Sequence, residues 1–114
     1  MSRVYKILTR AEWDAALKTS VLAGSALDVR DGFIHLSSAE QAPETARLHF
    51  HGQRDLVLLE CETVALGANL KWEPSRGGQL FPHYYGGLPV GAVIDVHPLP
   101  LDAEGVPIAG PLRA

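Results

Sequence analysis

The residues best suited to chemistry are two imidazoles in unusual company. One is His35, in Asp31-Gly32-Phe33-Ile34-His35-Leu36-Ser37-Ser38, and the other is His83, in Phe81-Pro82-His83-Tyr84-Tyr85-Gly86-Gly87. Imidazole donates or accepts hydrogen bonds and exchanges protons near neutral pH. In the first segment, strand alternation sends Phe33, His35 and Ser37 to one face and Ile34 and Leu36 to the other. With Ile34 and Leu36 in the core, His35 and Ser37 look toward a site. The competing reading is a core histidine satisfied by backbone, with Ser37 only capping the next helix. In the second segment glycines permit close backbone approach, and the rings of Tyr84 and Tyr85 can stack on a planar group such as a nucleobase or nicotinamide. The competing reading there is a rigid loop plugging the end of the core. Two such segments predict that His35 and His83 border one pocket. Trp72-Glu73, following Lys71, adds a ring and a carboxylate that can orient a ribose hydroxyl or act as a base; the plainer reading is a surface ion pair.

Other chemistries lack their signatures. His49 and His51, with His35, His83 and His97, match no zinc spacing, so no metal is expected. The sequence has no Walker A loop, no strand-borne G-x-G-x-x-G and no G-x-S-x-G elbow. The lone Cys61 alternates with Val57 and Leu59 and reads as a buried structural thiol.

The elements that must position these groups follow from pattern. Arg3 to Leu8 reads as a strand. Thr9 and Glu12 form a capping box for a helix whose buried stripe is Trp13, Leu17 and Val21, with Gly24 ending it or its following turn. Ser25 to Arg30 reads as a connector into the Gly32–Ser37 strand. Ser37 and Ser38 are alternative caps, paired with Glu40 or Gln41, for a helix running to about Phe50 with Pro43 in its first turn. Leu56 to Glu62 is nearly continuous apolar sequence, as a central strand requires. Thr63 to Gly91 is rich in glycine and proline and predicts loops with one short strand, of the kind that lines a site or acts as a lid. Ala92 to His97 closes the pattern as a strand, and the proline-rich tail is an ordered flap or a frayed end.

A chain of 114 residues is one domain, with its core within about residues 3–98 and a tail over 99–114. Strands and helices in this order predict a small α+β domain with helices packed on a mixed or antiparallel sheet. The net charge of −3 and scattered lysines and arginines argue against extended nucleic acid as a partner, leaving a small nucleotide-like ligand open. No apolar run reaches membrane-spanning length, and the N-terminus lacks a signal-peptide core, so a cytoplasmic location is expected. Oligomeric state is not legible.

VYKIL with its Trp-bearing helix, DGFIHLSSAEQ, LVLLE, KWE, GGQLFPHYYGGLP and AVIDV together resemble the bacterial domain-of-unknown-function family 952, from about Val4 to Pro98. That family resembles the ADP-ribosyltransferase fold, in particular one half of RNA 2′-phosphotransferases. The resemblance implies two or three helices, a split, strongly bent sheet and a cleft for a nicotinamide nucleotide or ADP-ribose, with NAD as a possible substrate. Tyr5-Lys6 stands where related sequences show tyrosine-histidine, so Lys6 would meet a phosphate or ribose oxygen as a point charge. His35 matches the histidine of a V-H-L-S strand. The transferase glutamate has no assigned counterpart, and Glu73 is put forward as a candidate. Two functions follow: an ADP-ribosyltransferase-like enzyme with His35, His83 and Glu73 at the reacting centre, or a non-catalytic nucleotide-binding module using the same cleft.

Overall fold

The computed structural model describes residues 2–114. Its first strand, β1 (Arg3–Thr9), alternates two apolar sets: Val4 and Leu8 enter one core cluster, Tyr5 and Ile7 another. The partner strand β4 (Leu56–Glu62) does the same, with Val57, Leu59 and Cys61 on the first side and Leu56 and Leu58 on the second. A sheet covered on both faces follows, in the antiparallel order β1–β4–β8, with β8 spanning Val93–Leu99. Cys61 is buried, and burial pushes its thiol up to about 12, with the Glu60 charge adding to the effect. It is the inert core thiol its spacing predicts.

The outer edge of β8 is blunted by its own residues. The Val96 N–H donates to the Asp95 carboxylate, and Pro98 has no N–H to offer. Such devices discourage pairing with another strand.

Helix α1 (Arg10–Thr19) starts at the predicted box: Thr9 Oγ1 accepts from the Glu12 N–H, and the Glu12 carboxylate accepts from the Thr9 N–H. Its buried face is Trp13 and Ala16, however, while Leu17 is half exposed. The helix ends at Ser20, in the left-handed conformation, so the chain has left the helical path before Val21 and Gly24. Val21 instead lies in a two-residue strand, β2 (Val21–Leu22), paired with β7 (Leu88–Pro89). The two meet closely at Gly87, where an added Cβ would lie 2.4 Å from Val21 Cγ1. Gly87→Ala is expected to cost about 1–3 kcal/mol by overpacking, with most of it recovered in Gly87→Ala/Val21→Ala, as measured by urea unfolding.

The segment predicted as a connector is a second helix, α2 (Ala26–Asp31). It is capped by Ser25, with Asp28 as the reciprocal partner, and closed by Gly32 at φ +85°. Strand β3 is only Ile34–His35, after which a bridge between Tyr5 and Ser37 ties this segment to β1. Ser38 and Gln41 exchange the reciprocal hydrogen bonds of a capping box one turn ahead of α3 (Ala42–His49), which ends just before Phe50.

The glycine- and proline-rich stretch holds more structure than one strand. A one-turn helix, α4 (Thr63–Leu66), leads to β5 (Leu70–Pro74), which forms a hairpin with β6 (Leu80–Tyr84), and β3 completes a second antiparallel sheet in the order β3–β6–β5. Among the described residues there are four α-helices where two or three were expected, and of the expected mixed or antiparallel sheet the antiparallel form holds, divided into three separate sheets. The domain is α+β. The C-terminal segment is ordered: Ala109 and Leu112 pack on the second core, Tyr5 Oη donates to the Arg113 carbonyl, and Gly52 N–H donates to the Gly105 carbonyl. Among the described residues, no helix is long and apolar enough to cross a membrane.

Candidate functional site

The short strand β3 places Ile34 against the core and leaves His35 on the opposite face, as alternation requires. Its neighbour β6 behaves likewise. Tyr84 opposes Ile34 inside the core, while His83 opposes His35. The two imidazole rings lie edge to face with centroids 5.6 Å apart. Phe33 stacks on His83 at 4.0 Å and stands 5.5 Å from Tyr85, so three aromatic side chains and His35 form one cluster.

Each imidazole has its own carboxylate. His83 Nδ1 lies 2.8 Å from Glu73 Oε1, and the same oxygen accepts a 2.8 Å hydrogen bond from Tyr85 Oη. The hairpin register explains this, because Lys71 opposes His83 and Glu73 opposes Phe81, putting Lys71, Glu73, Phe81 and His83 on one face. The hydrogen bond to His83, then that from Tyr85, hold the Glu73 carboxyl below its usual range against a small desolvation cost, and the charges of His83 and Lys71 add to this. Tyr85 is raised in turn, first by its bond to that carboxylate. Glu73 Oε2 accepts no hydrogen bond from the described residues, and the side chain is about one-third exposed. The result is an ionised carboxylate oriented through one oxygen and open through the other.

His35 faces two carboxylates. Its Nδ1 is 2.6 Å from Asp28 Oδ1, and its Nε2 is 3.0 Å from Asp31 Oδ2. Both ring nitrogens therefore face a carboxylate oxygen. Asp28 is buried and also takes the Lys6 ammonium at 2.8 Å, the Ser25 N–H at 2.9 Å and the His35 N–H at 3.1 Å. Burial pushes its carboxyl up, but the Lys6 charge and these hydrogen bonds outweigh burial and hold it below its ordinary value.

The structure thus brings His35, His83 and Glu73 together, with Tyr85 beside them. It separates four other candidates. Lys6 is buried and committed to Asp28. Ser37 turns to α3, where its hydroxyl lies 3.1 Å from Thr45 Oγ1. Tyr84 is a core residue, and Trp72, half exposed, shares the hairpin face of Leu70 and Tyr84, away from Glu73. Asp28, Asp31 and Phe33 were not singled out by the sequence reading. The Ser25-x-x-Asp28 spacing carries a helix-start signal and would have located the first.

The concavities around the cluster are modest. A cavity of about 160 Å³ reaches Asp28 and Phe33, bounded also by Val29, Ile34 and Gly86. A wider depression of about 560 Å³ lies between α3 and the C-terminal segment, where Arg47 is paired with Glu44. It includes none of the imidazole-bearing residues. His35 and His83 share a face, and Phe33 covers it.

On the other side of the first sheet a second buried carboxylate, Glu60, is held by Arg3 at 2.7 Å, His97 at 2.8 Å and Arg113 at 3.1 Å. With Asp95 and His97 it forms a set of donor atoms within 4.8 Å of one another. Two guanidiniums already neutralise it, so the cluster ties the C-terminus to the central strand.

A family model for a protein of unknown function (DUF952) matches residues 7–96. The chain belongs to this family. The crystal structure of protein CC0527 from Caulobacter crescentus superposes with a TM-score of 0.93 at 56% identity, covering 96% of each chain. The solution structure of CC0527 gives a TM-score of 0.87 at 56% identity, over 96% of this chain and 95% of that one. No curated protein matches the chain. The DUF952 fold is therefore secure at this similarity, and its chemistry must be argued from the site itself.

Proposed function

We propose that the face bearing His35, His83, Glu73 and Tyr85 binds the ribosyl part of a nucleotide-type metabolite, with NAD or an ADP-ribose-type compound as the ligand class, and that the protein is an ADP-ribosyltransferase-like enzyme. The observation that carries this reading is the Glu73 carboxylate, oriented on one oxygen by His83 and Tyr85 and free on the other. In N-glycosidic cleavage the electron pair of the C1′–N bond leaves with the nitrogen, positive charge develops on the ribosyl ring, and the oxygen of water or of an acceptor hydroxyl forms the new bond at C1′ with loss of its proton. A fixed carboxylate that accepts a ribose hydroxyl stabilises that charge more in the transition state than in the ground state. Phe33 and Tyr85 offer rings against which a planar leaving base can rest. His83 fixes the carboxylate, while His35 is held between Asp28 and Asp31 beside the aromatic cluster.

A second reading, a binding module without turnover, is favoured by one observation: both imidazoles are already engaged with carboxylates of the protein. Glu73→Gln separates the two. It preserves size and loses charge, so NAD affinity measured by calorimetry is expected to change little while nicotinamide release falls by about 10²-fold or more. NAD binding with no release from the parent protein would favour the binding module. Absence of both binding and release would remove the nucleotide reading.

A further inference from the structure

We infer that Lys71, and not Lys6, is the residue that reads the anionic group of the ligand at this site. The inference rests on the nucleotide reading of the Glu73 face. Lys6 is excluded by its surroundings: its side chain is 7% exposed and its ammonium is bound to a buried aspartate. Arg76, at the turn between β5 and β6, has its guanidinium over the Phe81 ring, 4.7 Å from the centroid. Arg47 is paired with Glu44, and Arg30 with Asp31.

Lys71 has none of these commitments. It is exposed on β5, directly opposite His83 in the hairpin register and two residues from Glu73 on the same face. It makes no ion pair within 4 Å with the described residues, and its charge is felt at the Glu73 carboxyl. A ligand whose ribose rests against the open oxygen of Glu73 therefore meets, on the same face of the sheet, a free lysine beside His83 and the Phe33–His83–Tyr85 rings. An anionic substituent directed to the Lys71 side meets a point charge, and one directed to the Asp28–Asp31 side meets carboxylates. The face thus suits a ribosyl ligand that carries a phosphate for Lys71 and a planar base for the rings. The plainer use of an edge-strand lysine is to discourage strand pairing, and the ligand dependence of a variant tells these roles apart.

The experiment is calorimetric titration of the parent, Lys71→Gln and Lys71→Arg proteins with NAD and with nicotinamide riboside, which lacks phosphate. Thermal unfolding serves as a check that the exposed substitution leaves the fold intact. In Lys71→Gln, NAD affinity is expected to fall about tenfold or more while riboside affinity holds, with Lys71→Arg restoring most of the loss. Added salt should weaken NAD binding to the parent more than to Lys71→Gln. NAD affinity unchanged in Lys71→Gln, or equal losses for both ligands, overturns the assignment while the nucleotide reading stands. Failure of the parent to bind either ligand overturns the nucleotide reading and this assignment with it.

Discussion

Asp28→Asn is expected to lower the unfolding free energy by about 3–5 kcal/mol, because removing one partner of a buried ion pair strands the other charge away from water. Asp28 and Lys6 have side chains only 1% and 7% exposed, and their contact is 2.8 Å. The carboxylate also accepts from Ser25 N–H, His35 N–H and His35 Nδ1, so it knots β1, α2 and β3 together. An amide has one acceptor oxygen where two are used, and its NH₂ would face donors. If the cost comes from the stranded charge, Lys6→Met/Asp28→Leu should recover much of it, since a well-packed apolar pair often replaces a buried ion pair without loss. Urea unfolding of the two single variants and the double variant measures the coupling directly. A loss below about 1 kcal/mol in Asp28→Asn would mean that the pair stabilises no more than a surface salt bridge does.

The pH dependence has a defined sign. The folded-state pKa of Asp28 is below its ordinary value of 3.8, so its stabilisation is in force above that value and is lost as pH falls through the lower, folded one. The parent protein should therefore lose stability on the acid side of about pH 4, and Asp28→Asn should show a shallower acid limb.

What the sequence disclosed was set by how locally each feature is determined. The Thr9–Glu12 box, the apolar run of β4 and the opposite facing of Ile34 and His35 depend on residues within a few positions of one another and stand in the structure, whereas the alternation does not extend to Ser37, which turns to α3. His35 and His83 do lie together, each an imidazole in an apolar or aromatic segment, although the His83 segment reads as a loop and is strand β6, and neither histidine lines the cavity that reaches Phe33. Lys6 was misjudged because alternation gives only a face, and the countercharge that buries it comes from a helix read as a connector. Tyr84 and Tyr85 differ by one position, and pairing with β5 decides which of them leaves the core. That pairing was obscured because Pro74, Gly77 and Gly78 look like loop residues when they stand at the strand's end and in the hairpin turn. The same register sets Lys71 opposite His83.

Trp13 supplies the other large effect. Its ring is 7% exposed and packs in the cluster that holds Leu8, Leu22, Leu59 and Leu88, joining α1 to the first sheet and to the β2–β7 pair. Trp13→Ala is expected to cost about 3–5 kcal/mol, since the cavity left by a buried ring collapses only in part. In a small domain whose whole stability is about 5–15 kcal/mol, that is a drop of about ten degrees or more in Tm. Leu17→Ala makes the informative control. The four-residue stripe predicted from sequence makes Leu17 as important as Trp13, whereas the structure leaves it 50% exposed on the solvent side of α1 and gives the second buried position to Ala16. Its replacement should stay within about 0.5 kcal/mol of the parent in urea unfolding. Comparable losses for the two variants would mean that α1 is rotated about its axis relative to the packing described, and with it the approach of β2 to Gly87.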